Sequence, residues 1–205
     1  MSKSKFDLVV AEGHWNDHSN HSVKSLFDLL SDLLKSNPHS YKYTQFPDAK
    51  GFDASVNSIM NSSHKYLYIG SHGDLKGVYG SSKANPVTFT IIKNRIPHAK
   101  GLYLGTCLFG QSNVLTSFVK DSALVWCSGY RKSVDWVDSS VLDLAFWKIF
   151  QLHNISSGKK VELTMIERTA KELQSKYASL ILDLGFNIAI RRKGKDGKDV
   201  IETVF

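Results

Sequence analysis

The chain has 205 residues, 42% of them hydrophobic and 22% charged, which is apolar material enough for one core and excludes a disordered or collagen-like protein. No apolar run approaches the roughly 20 residues that span a bilayer as a helix, so no membrane partner is expected. A formal charge of +7 invites a nucleic-acid or acidic partner, but the positive residues are scattered except in RRKGKDGK at 191–198.

In chain order, MSKSKFDLVV carries no signal-peptide apolar region, because charge and a polar loop follow after a few apolar residues. A cytoplasmic location is therefore expected, with both cysteines, Cys107 and Cys127, as free thiols. FDLVVAEG (6–13) predicts a short buried strand ending in a turn. In GHWNDHSNH, His14, His18 and His21 have a spacing compatible with metal on a helix face. The asparagines and serine predict a loop instead, no complementary cysteine or carboxylate motif is visible, and neither a metal nor another cofactor is expected. SVKSLFDLLSDLLKS (22–36) places Val23, Phe27, Leu30 and Leu34 at helical spacing between a serine start and the Asn37-Pro38 stop.

A second helix is predicted around DASVNSIMNSS (53–63), then a strand at KYLYIG (65–70). TFTIIKNRI (88–96) reads as a helix by its length and the Pro97 stop. GLYLGTC (101–107) is another buried strand, SNVLTSFVKD (112–121) a helix, and ALVWCSG (123–129) a fourth strand that keeps Cys127 in the core. VDSSVLDLAFWKIFQLH (137–153) is apolar on two faces, Val141, Ala145, Ile149 and Leu142, Phe146, Phe150, which predicts a mostly buried helix. VELTMIERTAKELQSKYAS (161–179) is more cleanly amphipathic. The basic run falls on Gly-Lys-Asp-Gly, hairpin chemistry between NIAI and VIETVF, so it reads as a solvated turn rather than a direct nucleic-acid site. Strands and helices alternate without repeats or linkers, and the strands are continuously apolar. The pattern predicts one α/β domain over 1–205, a three-layer α/β/α sandwich with a mostly parallel central sheet and an antiparallel addition at one end.

In such sheets functional groups gather at the carboxyl ends of strands. Two strands end in IGSHG and LGTC, so adjacent parallel placement would set His72 beside Cys107. A cysteine needs a base or positive neighbour to act as a thiolate, since its free pKa of roughly 8.5 leaves little thiolate at neutral pH. A histidine can take that proton and return it to a leaving group. Gly73 allows close backbone approach, its N–H and that of Cys107 would hold an oxyanion, and the next helix would turn its positive end toward the sulfur.

An apolar strand ending in Ser-His-Gly, followed by one ending in a small residue and Cys, resembles the caspase-like cysteine peptidases. The strand, loop, long aromatic-bearing helix, Gly-bounded turn and helix from ALVWCSG to TAKEL are most similar to the bacterial CHAT family. The resemblance spans about residues 6–190 and is strongest at 66–179. It implies a caspase-like fold, Cys107 as nucleophile, His72 as acid–base partner, and an oxyanion site at the backbone of Gly73 and Cys107. It also implies a regulated effector protease whose partner is a protein substrate, switched on by a protein partner or larger assembly. The family's position two before the cysteine, acidic in several relatives that cut after Arg or Lys, is Gly105 here. Asp135 or Asp138 would supply an S1 carboxylate instead, unless Asp138 caps the helix that follows. Arg131 would favour an acidic P1, and Trp126 and Tyr130 an apolar pocket, with Ser128 a further candidate substrate contact, so P1 stays open. A catalytically silent interaction module of the same fold, or a basic nucleic-acid-binding α/β domain, are the alternatives.

Overall fold

The computed structural model describes residues 7–14, 22–34, 41–60, 64–156 and 162–205. Among them run nine strands and six helices. Strands β1 (Leu8–Gly13), β2 (Tyr41–Phe46), β3 (Tyr66–Gly70), β6 (Gly101–Gly105) and β7 (Trp126–Tyr130) pair in parallel. Two antiparallel strands, β8 (Phe186–Lys193) and β9 (Asp199–Thr203), extend the sheet past β7, giving the order β2-β1-β3-β6-β7-β8-β9. A separate hairpin, β4 (His72–Asp74) and β5 (Gly77–Tyr79), sits directly after β3.

Alternate residues of each inner strand feed two different cores. Leu8, Val10, Tyr66, Tyr68, Tyr103 and Trp126 pack with α1 (Lys24–Leu33), α5 (Trp136–Ser156) and α6 (Glu162–Leu184). Val9, Ala11, Leu67, Ile69, Leu102 and Cys127 pack with α2 (Ala49–Ile59), α3 (Phe89–Arg95) and α4 (Ser112–Lys120). Helices therefore cover both faces, which is why the inner strands are apolar without a polar alternate. The expected three layers and mostly parallel sheet follow from this arrangement.

Several elements depart from expectation. β2, YKYTQF, was not foreseen; it lies at the sheet edge, where Lys42 and Gln45 face solvent and dilute the apolar pattern. Helix α2 starts earlier than expected, because Asp48 accepts the Gly51 N–H at 2.8 Å and caps it. On α5, Leu142, Ala145, Phe146, Ile149 and Phe150 are buried, but Val141 is 46% exposed. The basic segment forms the β8–β9 turn, with Gly197 at φ +78°. Several of its cations form ion pairs: Arg192 with Glu167 and Glu202, Arg191 and Lys193 with Asp199, and Lys198 with Asp196. No described helix is long and apolar enough to cross a membrane.

Candidate active site

β3 and β6 are neighbours, paired in register from Tyr66 with Gly101 to Gly70 with Gly105. Two residues beyond that last pair stand His72 and Cys107, so the two side chains leave the sheet at the same level. The Ser71 N–H extends the contact by one step, donating to the Gly105 carbonyl at 3.3 Å. Both side chains line one cavity of about 140 Å³, with Trp136, Ser139, Ser140 and Asp143 among its other walls. His72 is exposed and Cys107 partly exposed.

The backbone under each group is specified locally. The Ser71 hydroxyl donates to the Tyr79 carbonyl and ties β5 to the end of β3. Asp74 accepts the Lys76 N–H at 2.6 Å and closes the β4–β5 turn. Gly73 lies against the Cys107 loop: a Cβ there would stand 2.8 Å from the Cys107 carbonyl oxygen and 2.9 Å from Thr106 Cβ. A side chain at 73 would therefore drive the histidine and cysteine loops apart.

After Cys107 the chain makes a tight turn. Leu108 has φ +62°, and the Phe109 N–H donates to the Cys107 carbonyl at 2.7 Å. That is a three-residue turn of the strained hand, a backbone state that persists only where the surrounding structure over-determines it. The turn is stitched to the segment after β7. Leu108 N–H donates to the Lys132 carbonyl and Gly110 N–H to that of Tyr130, both at 3.0 Å. Gln111 Nε2 reaches the Arg131 carbonyl at 2.8 Å, and the Val134 N–H donates to Cys107 Sγ at 3.4 Å. Helix α4 begins only at Ser112, after this turn, rather than at the cysteine itself.

The six expected substrate contacts lie elsewhere. Trp126, Ser128 and Tyr130 are 0% exposed, because both faces of β7 are covered; Trp126 packs against Tyr66, Phe146 and Phe150. Arg131 turns its guanidinium to the Gly185 carbonyl, 3.3 Å away. Asp135 and Asp138 are exposed, and the helix cap is Asp135 rather than Asp138: its carboxylate accepts the N–H groups of Val137 at 2.8 Å and Asp138 at 3.2 Å. None of the six lines the cavity beside Cys107.

The cavity instead carries an acid, Asp143, that is not among the residues expected from the sequence. Asp143, on α5, accepts from the hydroxyls of Tyr103 and Tyr130 at 2.5 Å each and of Tyr68 at 2.6 Å. Burial pushes its carboxyl up to about 6, against the three hydroxyls that pull it down. Burial and the neighbouring carboxylate drive all three tyrosines well above their usual range. An acid flanked by Leu142 and Leu144, on the apolar stretch of α5, was the available signal. Cys127 is fully buried in the core, where burial pushes its thiol up. Of the histidine cluster, His14 is exposed and its N–H donates to the Phe46 carbonyl at 3.0 Å, while His18 and His21 lie outside the described residues. No protein-family model matches the chain, and no curated protein matches it.

Proposed function

We propose that the chain is a cysteine endopeptidase of caspase-like fold, most similar to the CHAT family, acting on a protein substrate as a regulated effector. One observation carries this reading: His72 and Cys107 leave adjacent parallel strands at equal register and line one cavity. The order of β7, loop, long α5 and α6 agrees with the part of the chain where the resemblance is strongest.

In this reaction the His72 imidazole takes the proton of the Cys107 thiol, and the sulfur adds to the scissile carbonyl. The negative charge that forms on the carbonyl oxygen is received by the backbone N–H groups of Gly73 and Cys107. His72 then gives its proton to the departing amine, leaving a thioester on Cys107. Water, deprotonated by His72, hydrolyses that thioester and restores the thiol. The close approach of Gly73 to the Cys107 carbonyl and the Thr106 side chain keeps both loops at the spacing these steps require.

Digestion of a diverse peptide library by the intact chain, by Cys107→Ala and by His72→Ala tests the assignment. Cleavage is expected from the intact chain alone; unchanged cleavage by either variant overturns it. Exposure alone would let a thiol-directed electrophile prefer Cys107 over buried Cys127, so the informative comparison is within Cys107. Its alkylation at neutral pH should slow in His72→Ala, and an unchanged rate counts against an activated pair.

A further inference from the structure

The cavity beside Cys107 runs from an exposed imidazole to a buried carboxylate. Asp143 is 4% exposed, yet it lines the same space as His72 and Cys107. Its Oδ1 accepts two hydroxyls, from Tyr103 and Tyr130, and its Oδ2 accepts one, from Tyr68. A carboxylate offers about four lone-pair positions, so one remains, on Oδ2. All three partners are neutral, and among the described residues no lysine or arginine forms an ion pair with Asp143. Buried acids are ordinarily paired with a cation or kept neutral. A carboxyl brought up to about 6 is still largely ionised at pH 7, so its charge stands uncompensated at the wall of an open cavity.

The remaining walls fit a long side chain with a charged tip. Val23, Val134 and Trp136 offer apolar surface for a methylene stem, and Ser139 and Ser140 offer hydroxyls from the acid's own helix. The volume of about 140 Å³ equals four to five waters at roughly 30 Å³ each, comparable to the four heavy atoms of lysine or the six of arginine beyond Cβ. An acidic side chain there would set a second carboxylate beside Asp143 and be repelled. An apolar one would expel water and leave the last lone pair of Oδ2 without a donor.

We propose that Asp143 recognises the side chain preceding the scissile bond, and that this side chain is lysine or arginine. The proposal rests on the peptidase reading for the identity of the occupant; the cavity's preference for a cation does not. Neither Asp135 nor Asp138 takes this role, since both face solvent.

Two measurements separate the parts. Fluorogenic peptides differing only at P1 are expected to be cut after Lys or Arg. In Asp143→Asn the kcat/KM for these should fall by about 100-fold or more, as one partner of a desolvated charge pair is removed, with alkylation of Cys107 unchanged. Should that variant fail to fold, Ser140→Lys supplies a cation one turn from Asp143 inside the cavity, and the same loss of basic cleavage is expected. Cleavage by the intact chain after apolar or acidic residues, or an Asp143→Asn variant with unaltered P1 preference, overturns the proposal while leaving the peptidase standing. Independently, butylammonium and benzamidinium are titrated against the intact chain and both variants by calorimetry. Saturable binding lost in Asp143→Asn supports the cation pocket even if no peptide is cut, an outcome that refutes only the peptidase reading. Binding that is absent from the intact chain, or equal in Asp143→Asn, overturns the pocket.

Discussion

Asp143 gives the structure a stability signature that can be read without any substrate. Its carboxyl is brought from an ordinary 3.8 to about 6 by complete burial. Two units at 1.36 kcal/mol each correspond to about 3 kcal/mol. The shift is upward, so between roughly pH 4 and 6 the folded chain holds a proton that the unfolded chain has released. The associated stabilisation is fully present below the unfolded value and is lost as pH rises through the folded one. Asp143→Asn has nearly the same shape and no titration. The carboxylates held below their usual range, Asp28, Glu162 and Asp199 among them, are common to both proteins and cancel in the difference. The stability of the native chain relative to the variant should therefore grow by about 3 kcal/mol from pH 8 to pH 4, mostly below pH 6. Urea unfolding at five pH values, followed through the fluorescence of buried Trp126 and Trp147, measures it. A difference constant to within about 0.5 kcal/mol across that range would refute the reasoning, because a carboxyl with an ordinary pKa in the fold produces no slope.

Three further outcomes are expected. Gly73→Ala must part the His72 and Cys107 loops, since its Cβ would sit 2.8 Å from the Cys107 carbonyl oxygen; on the proposed reading kcat/KM should fall about 100-fold, and intact kinetics would contradict the contact. Glu12→Ala removes the acceptor for Ser22 Oγ and the Val23 N–H, each at 2.8 Å, and for the Tyr43 hydroxyl. It should cost about 3 kcal/mol in urea unfolding, and a cost under about 1 would mean those donors find other partners. Asp135→Ala should cost about 1 kcal/mol through the lost α5 cap, and Asp138→Ala less than about 0.5; the reverse order would return the cap to Asp138.

Legibility in the sequence tracked how local each signal was. β1, β3, β6 and β7 are short apolar runs bounded by turns, and burial on both faces makes such runs conspicuous. β2 lies at an edge, where only part of each residue's surroundings is protein, so YKYTQF reads as mixed. The hairpin strands β4 and β5 have three residues each, too few to hold any period. His72 and Cys107 could be singled out because each ends a strand. Asp143 could not be placed in the same way. What permits its burial is three hydroxyls delivered by β3, β6 and β7, from residues 75, 40 and 13 positions away in the chain. Taken alone, the acid between Leu142 and Leu144 looks like one solvent-facing position on an otherwise sunken helix. The aromatic residues of β7 misled in the opposite sense. Trp126 and Tyr130 have the surface chemistry of a substrate pocket, but the sheet consumes them as core.

The stitching between the turn after Cys107 and the segment leading into α5 bears on control. Cys107 hangs from β6, yet its sulfur takes the Val134 N–H, and the backbone of Leu108 and Gly110 is anchored to Lys132 and Tyr130. Cys107 is thus hinged on one strand and bolted to the exit of another. A molecule that grips residues 131–135 from outside would act as a lever on the sulfur, and a shift of about 1 Å at that lever arm is enough to switch turnover. On the proposed reading, the handle for such a switch would be the partly exposed segment 131–135 rather than the cavity itself.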